Sequence, residues 1–166
     1  MKMVKADARR YVWCRSQAAW LMGPPAHQWL EDLRGAVAIN QQGLIHYVVR
    51  QLAEDCAVML TLALTFERPA PPPALRGSWA LERLEGHPLR DECWALMRGF
   101  DELPPGEELI ERCERLQKEV RKVVGDVPNP ISPEGYFPSM SLARRWMELV
   151  QELDEEGFLP RDWMRG

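Results

Sequence analysis

The side chains best suited to chemistry stand on one stretch, LIHYVVRQLAEDCAVMLTLAL, from Leu44 to Leu64. His46, Arg50 and Glu54 recur at steps of four, which sets them along one side of a helix, and Asp55 follows about 100° round the axis. An arginine can grip an anionic group through its forked N–H donors. A carboxylate or imidazole beside it can exchange a proton or hold an amine. The row also has a purely structural reading, in which Arg50 pairs with Glu54 across one turn and His46 caps or packs. Its setting argues for more. From Cys56 to Leu64 the same stretch carries no charge and one polar side chain, Thr61. A helix apolar on every side is covered on every side, and a charged row on it needs partners or water.

Further along, Arg76, Trp79 and Arg83 follow a proline-rich strap and are placed to close the far side of such a pocket. His87, between Gly86 and Pro88, reads as a turn residue rather than a ligand. Tyr136 and Phe137 read as a packed connection, with a lid over the pocket as the alternative. Other chemistries find no pattern. Glycine-rich phosphate loops are absent, as are the H-E-x-x-H and E-x-x-H spacings of metal helices. Glu108, Glu111 and Glu114 fit the first half of a magnesium-binding E-x-x-E pattern, but no E-x-x-D follows. Cys14, Cys56, Cys93 and Cys113 are far apart and sit among apolar residues, which predicts packed, reduced thiols rather than a zinc site. No serine or cysteine has a recognisable activating partner. The expectation is a site without metal or cofactor.

The elements that must position the row are helical. Tyr11, Cys14, Ala18 and Leu21 predict a helix over 5–22, stopped by Gly23-Pro24-Pro25. A second runs over 26–40 and breaks from the next at Gly43. After Leu64 the sequence TFERPAPPPALRG is stiff and extended. Ser78 is placed to cap a short helix to Glu85, and Pro88 opens another to Arg98. From Glu107 to Val124, Leu109, Cys113, Leu116, Val120 and Val123 make one apolar stripe. Its Glu108–Arg112, Glu111–Arg115 and Glu114–Lys118 spacings predict three local ion pairs. A proline-rich loop over 126–138 precedes a last helix over 141–156. No segment alternates as a strand would.

Composition narrows the class. With 46% hydrophobic and 28% charged residues in 166, the chain is long enough for a real core. Its 25 acidic against 21 basic residues leave a net charge of −4, which gives no reason to expect nucleic acid or anionic lipid. Arg50, Glu54 and Asp55 interrupt the one long apolar run, so no membrane span is expected. MKMVKADARRYVW lacks the apolar core of a signal peptide, and the expected location is cytoplasmic.

From Leu30 to Leu84 the order of features, with LIHYVVRQLAEDCAVMLTLAL, a proline-rich break and RGSWALERL, resembles the helical substrate-binding domains of small nucleotidyltransferases. These occur as C-terminal domains of antibiotic nucleotidyltransferases and as stand-alone partner subunits of two-component systems. The resemblance implies a polar-studded helix in a bundle, an Arg near a Trp opening the next helix, and a catalytic partner subunit. The sequence departs from it at the catalytic G-S…D-x-D/E motif: Gly77 and Ser78 are followed by Asp91, but Cys93 stands in place of the second carboxylate. Such a chain would not transfer a nucleotide by itself. Related ribonuclease bundles carry R-x(4–6)-H, whereas Arg83 and His87 are separated by Leu84, Glu85 and Gly86 alone, which argues against a ribonuclease.

The expectation is therefore an all-α, single-domain antiparallel bundle of five to seven helices over 1–166, arranged around residues 44–64. The strap 66–77 and the loop 126–138 lie within it. The leading function is a non-catalytic binding module or subunit. It would hold a small molecule or partner protein through His46, Arg50, Glu54, Asp55, Arg76, Trp79 and Arg83. The alternative is a small cofactor-independent enzyme of secondary metabolism using His46 and Glu54 for acid–base chemistry. A third reading is an interaction protein that forms a homodimer through an apolar face.

Overall fold

A computed structural model describes residues 14, 17, 18, 21–65, 67 and 71–124. The expectations for 126–138, with Tyr136 and Phe137, and for the helix over 141–156 lie outside the described residues. Of the helix expected over 5–22, Cys14, Gln17, Ala18, Leu21 and Met22 are described, and all are helical. The described residues contain five further α-helices and no strand: α1 (Pro24–Ala38), α2 (Gln42–Thr65), α3 (Arg76–Arg83), α4 (Pro88–Arg98) and α5 (Gly106–Val124). They form an all-α bundle.

Pro24 and Pro25 open α1 as well as closing the helix before it. A proline in the first turn lacks only an N–H that has no intrahelical acceptor there. The break between α1 and α2 falls at Ile39–Gln41, not at Gly43, which lies inside α2. Asn40 takes the left-handed conformation, φ 52°. Its N–H reaches Val37 O at 3.0 Å, and that of Gln41 reaches Ala36 O at 3.1 Å, the pairing that closes a helix on a left-handed residue. Asparagine enters this region more readily than other residues with a Cβ, and so substitutes here for the glycine.

α2 packs against each of the other four helices. Every residue from Cys56 to Ala63 is buried, and the one polar member is satisfied: the Thr61 hydroxyl lies 2.9 Å from Ala57 O and 3.2 Å from Ala80 O of α3. Gln117, the other buried polar side chain among the described residues, donates from Nε2 to Ala26 O at 2.8 Å and ties α5 to α1. Cys56, Cys93 and Cys113 are buried free thiols. Burial pushes Cys93 and Cys113 up to about 12 and raises Cys56 as well, so all three stay protonated and inert at neutral pH.

Two local expectations, at Ser78 and along α5, give way to longer-range partners. α3 begins at Arg76 behind a 3₁₀ turn over Pro73–Leu75, so Ser78 lies inside the helix and caps nothing. His87 is the cap of α4, its Nδ1 accepting the Leu89 N–H at 3.2 Å. Of the three local pairs expected on α5 only Glu111–Arg115 forms, at 3.9 Å. Arg112 instead makes two hydrogen bonds, 2.7 and 2.8 Å, to both oxygens of Glu92 on α4, and Glu114 pairs with Arg34 of α1. A forked arginine–carboxylate contact between helices outcompetes a single bond across one turn.

The apolar packing of α2 should dominate stability. Leu52→Ala, at a fully buried position, is expected to cost about 2–5 kcal/mol. Leu64→Ala, at a position 44% exposed on the same helix, should cost less than about 1 kcal/mol. Urea unfolding of the two variants checks the ranking.

Candidate functional site

The polar half of α2 faces an open cleft of about 290 Å³, shared with the segment that leads into α3. Arg50, Glu54 and Asp55 line it from α2 and Arg76 from the start of α3, with Gln51 between them and Leu21 and Val58 as apolar wall. Four of the expected residues thus meet in one place.

The two carboxylates are each anchored by a neutral donor from a different helix. Trp29 of α1 donates its indole N–H to Asp55 Oδ2 at 2.7 Å, and its ring stands edge-on to Tyr47 with centroids 6.3 Å apart. Burial pushes the Asp55 carboxyl above its ordinary value, against the opposing pull of the Trp29 hydrogen bond and the Arg76 charge. Glu54 accepts a hydrogen bond from the backbone N–H of Gly77, in the first turn of α3. That turn has no side-chain cap of its own, so a carboxylate from α2 serves the purpose. The approach is close: a Cβ on Gly77 would fall 2.5 Å from Met97 Cε and 3.0 Å from Glu54 Cγ, so the Met97 terminus and Glu54 would have to give way. Burial raises Glu54 as well, opposed by the Arg50 charge and reinforced by Asp55.

The arginines are in the opposite condition. Arg50 and Arg76 are exposed and make no hydrogen bond or ion pair among the described residues. The expected Arg50–Glu54 pair across one turn does not form, although the Arg50 charge acts on Glu54. Two guanidinium groups with unused donors therefore share a cleft with two carboxylates whose positions are already fixed. Such an arrangement can hold an anionic group at the arginines and a cationic or donor group at the acids.

Three expected residues lie elsewhere. His46 does not join the row: each step of four along a helix drifts by about 40°, so the row splays, and His46 lines a different cavity. Its ring stacks on Phe100 with centroids 4.9 Å apart and 16° between planes. Trp79 is buried in the core. Arg83 lies over the Trp79 ring at 4.7 Å and binds Glu67 at 2.5 Å, so it is tied to the strap instead of the cleft. Trp29, which anchors Asp55, is the residue that the sequence pattern does not single out. Its signal was the need of a half-buried indole N–H for an acceptor, and Asp55 is the acceptor it finds. Among the described residues no group of three or more His, Cys, Asp or Glu side chains is arranged to hold a metal ion. Comparison with protein-family models, curated proteins and solved structures finds no match for the chain.

A carboxyl raised by burial binds its proton more tightly in the folded chain than in the unfolded one. The stability this contributes is fully present below the ordinary aspartate range and is lost as pH rises through the raised value. Asp55→Asn keeps an oxygen for the Trp29 N–H and removes the buried charge. From about pH 3 to pH 7, wild type should therefore lose stability relative to Asp55→Asn, read as a growing gap in urea midpoints.

Proposed function

We propose that this chain is a non-catalytic binding module that holds a small zwitterionic molecule in the cleft of Arg50, Glu54, Asp55 and Arg76. The observation that carries the reading is the asymmetry of the four charges. Glu54 and Asp55 are held by Gly77 and Trp29, while Arg50 and Arg76 have no partner among the described residues. An anionic group entering between the guanidinium groups would take up donors that the fold leaves free. Its amine or hydroxyl end would meet carboxylate lone pairs not used by the two anchoring donors. At about 290 Å³ the cleft suits a metabolite rather than a polymer. A helical subunit of this kind would present its ligand to a catalytic partner protein, the role implied by the resemblance to nucleotidyltransferase partner domains.

A second reading is favoured by one observation. The Glu54 carboxyl is raised toward neutrality beside Arg50, which suits a proton-transfer group of a small enzyme that needs no cofactor. Turnover of a ligand by the purified chain alone would support it over the binding module.

Thermal-shift titration with small phosphates, carboxylates and amino acids should reveal a stabilising ligand. Arg50→Ala and Arg76→Ala should each weaken that ligand on the order of 10- to 100-fold, the loss of one charge-assisted contact, with the unliganded melting temperature unchanged. A drop in melting temperature with no ligand response in wild type would make the row structural and end the proposal.

A further inference from the structure

A second cavity, of about 200 Å³, lies on another side of α2, between the α1–α2 turn and the segment that leads into α5. Val37, Ile45, Leu103 and Leu109 supply its apolar wall, and Asn40, Gln42 and His46 its polar groups. Among the described residues no charged side chain lines it. We infer that this cavity is a binding site for an uncharged single-ring phenol, recognised by His46. The inference is independent of the cleft at Arg50.

The walls are set before any ligand arrives. Pro104 and Pro105 fix the backbone on one side. On the other, Asn40 is locked in the left-handed turn and accepts a hydrogen bond from Gln42 Nε2 at 3.2 Å. His46 is held by its stack on Phe100, yet neither ring nitrogen has a hydrogen-bond partner among the described residues. A half-buried imidazole whose nitrogens bond no described residue offers a ligand one donor and one acceptor. A hydroxyl is both at once, which matches it.

Size and charge select the rest of the ligand. A cavity of about 150 Å³ holds benzene, so about 200 Å³ admits one ring with one or two small substituents. Without a charged side chain at the wall, an ionic ligand would shed its hydration for no ion partner, whereas a neutral ring keeps the apolar contact. Preformed walls also spare the cost of ordering the site on binding.

The test titrates the full chain with 4-methylphenol, toluene and 4-methylbenzoate while following the methyl resonances of Val37, Ile45 and Leu109. The expected result is saturable binding of 4-methylphenol, with Kd on the order of 1 mM and about tenfold tighter than toluene, and weaker binding of 4-methylbenzoate. His46→Phe preserves the stack and removes both nitrogens, so it should abolish the preference for the phenol while leaving toluene binding unchanged. Val37→Phe, which fills the cavity from a half-buried position, should remove binding of both at an unaltered melting temperature. Absence of saturable shifts, equal binding of the benzoate, a phenol preference that survives His46→Phe, or shifts centred on Leu21 and Val58 of the other cleft would each overturn the inference.

Discussion

A run of buried residues from Cys56 to Ala63, with Thr61 as its single polar member, is the constraint to which the described fold answers. Burying each large aliphatic side chain there is worth roughly 1.5–3 kcal/mol against leaving it in water, so neighbours on every side must bring apolar surface to it. α1, α3, α4 and α5 all pack against α2. Once that half of α2 is enclosed, the charged groups of this helix can meet solvent only at its other half. Arg50, Glu54 and Asp55 lie there, and the cleft is where the enclosure ends.

The carboxylates in that cleft are also structural joints. Asp55 receives an indole N–H from α1 and Glu54 a backbone N–H from α3, so three helices are registered against one another at the site itself. Both donors are neutral. They orient the carboxylates without neutralising them, and without using the guanidinium groups of Arg50 and Arg76. Had Arg50 closed on Glu54 as an ordinary pair across one turn, the cleft would carry little net recognition. The geometry that positions the acids is what leaves the bases available.

How much of this the sequence disclosed depends on the range of the interaction. The apolar run of α2, the stripe Leu109, Cys113, Leu116 and Val120, and the proline that opens α4 are periodic or local signals, and they predicted helices where helices stand. The failures are competitions between local and distant partners. Glycine at position 43 is the stronger breaker by propensity, but the left-handed turn formed at Asn40, three residues earlier. Arg112 and Glu114 had partners one turn away and took others on α4 and α1. Ser78 was a better cap by type than Leu75, yet the first turn of α3 is served by a glutamate from another helix. At the site, Arg50, Glu54 and Asp55 were legible because helical spacing alone brings them close, and Arg76 because it follows the strap that returns the chain to α2. Trp29 was not, because its contact with Asp55 spans 26 residues and leaves no periodic trace.

The separation of His46 from the row has a geometric cause with a chemical consequence. Side chains at steps of four precess round a helix by about 40° per step, so a row of three spans about 80° and faces more than one neighbour. Glu54 is carried toward α3 and the strap, where guanidinium groups lie nearby. His46 is carried toward the α1–α2 turn and the residues before α5, into a cavity that no charged side chain of the described residues lines. One helix thus distributes its polar side chains between an ionic cleft and an uncharged cavity. The same imidazole that would be a proton carrier beside Glu54 becomes, against Phe100, a fixed hydrogen-bonding edge. Its chemistry is decided by which neighbour the helical drift brings to it.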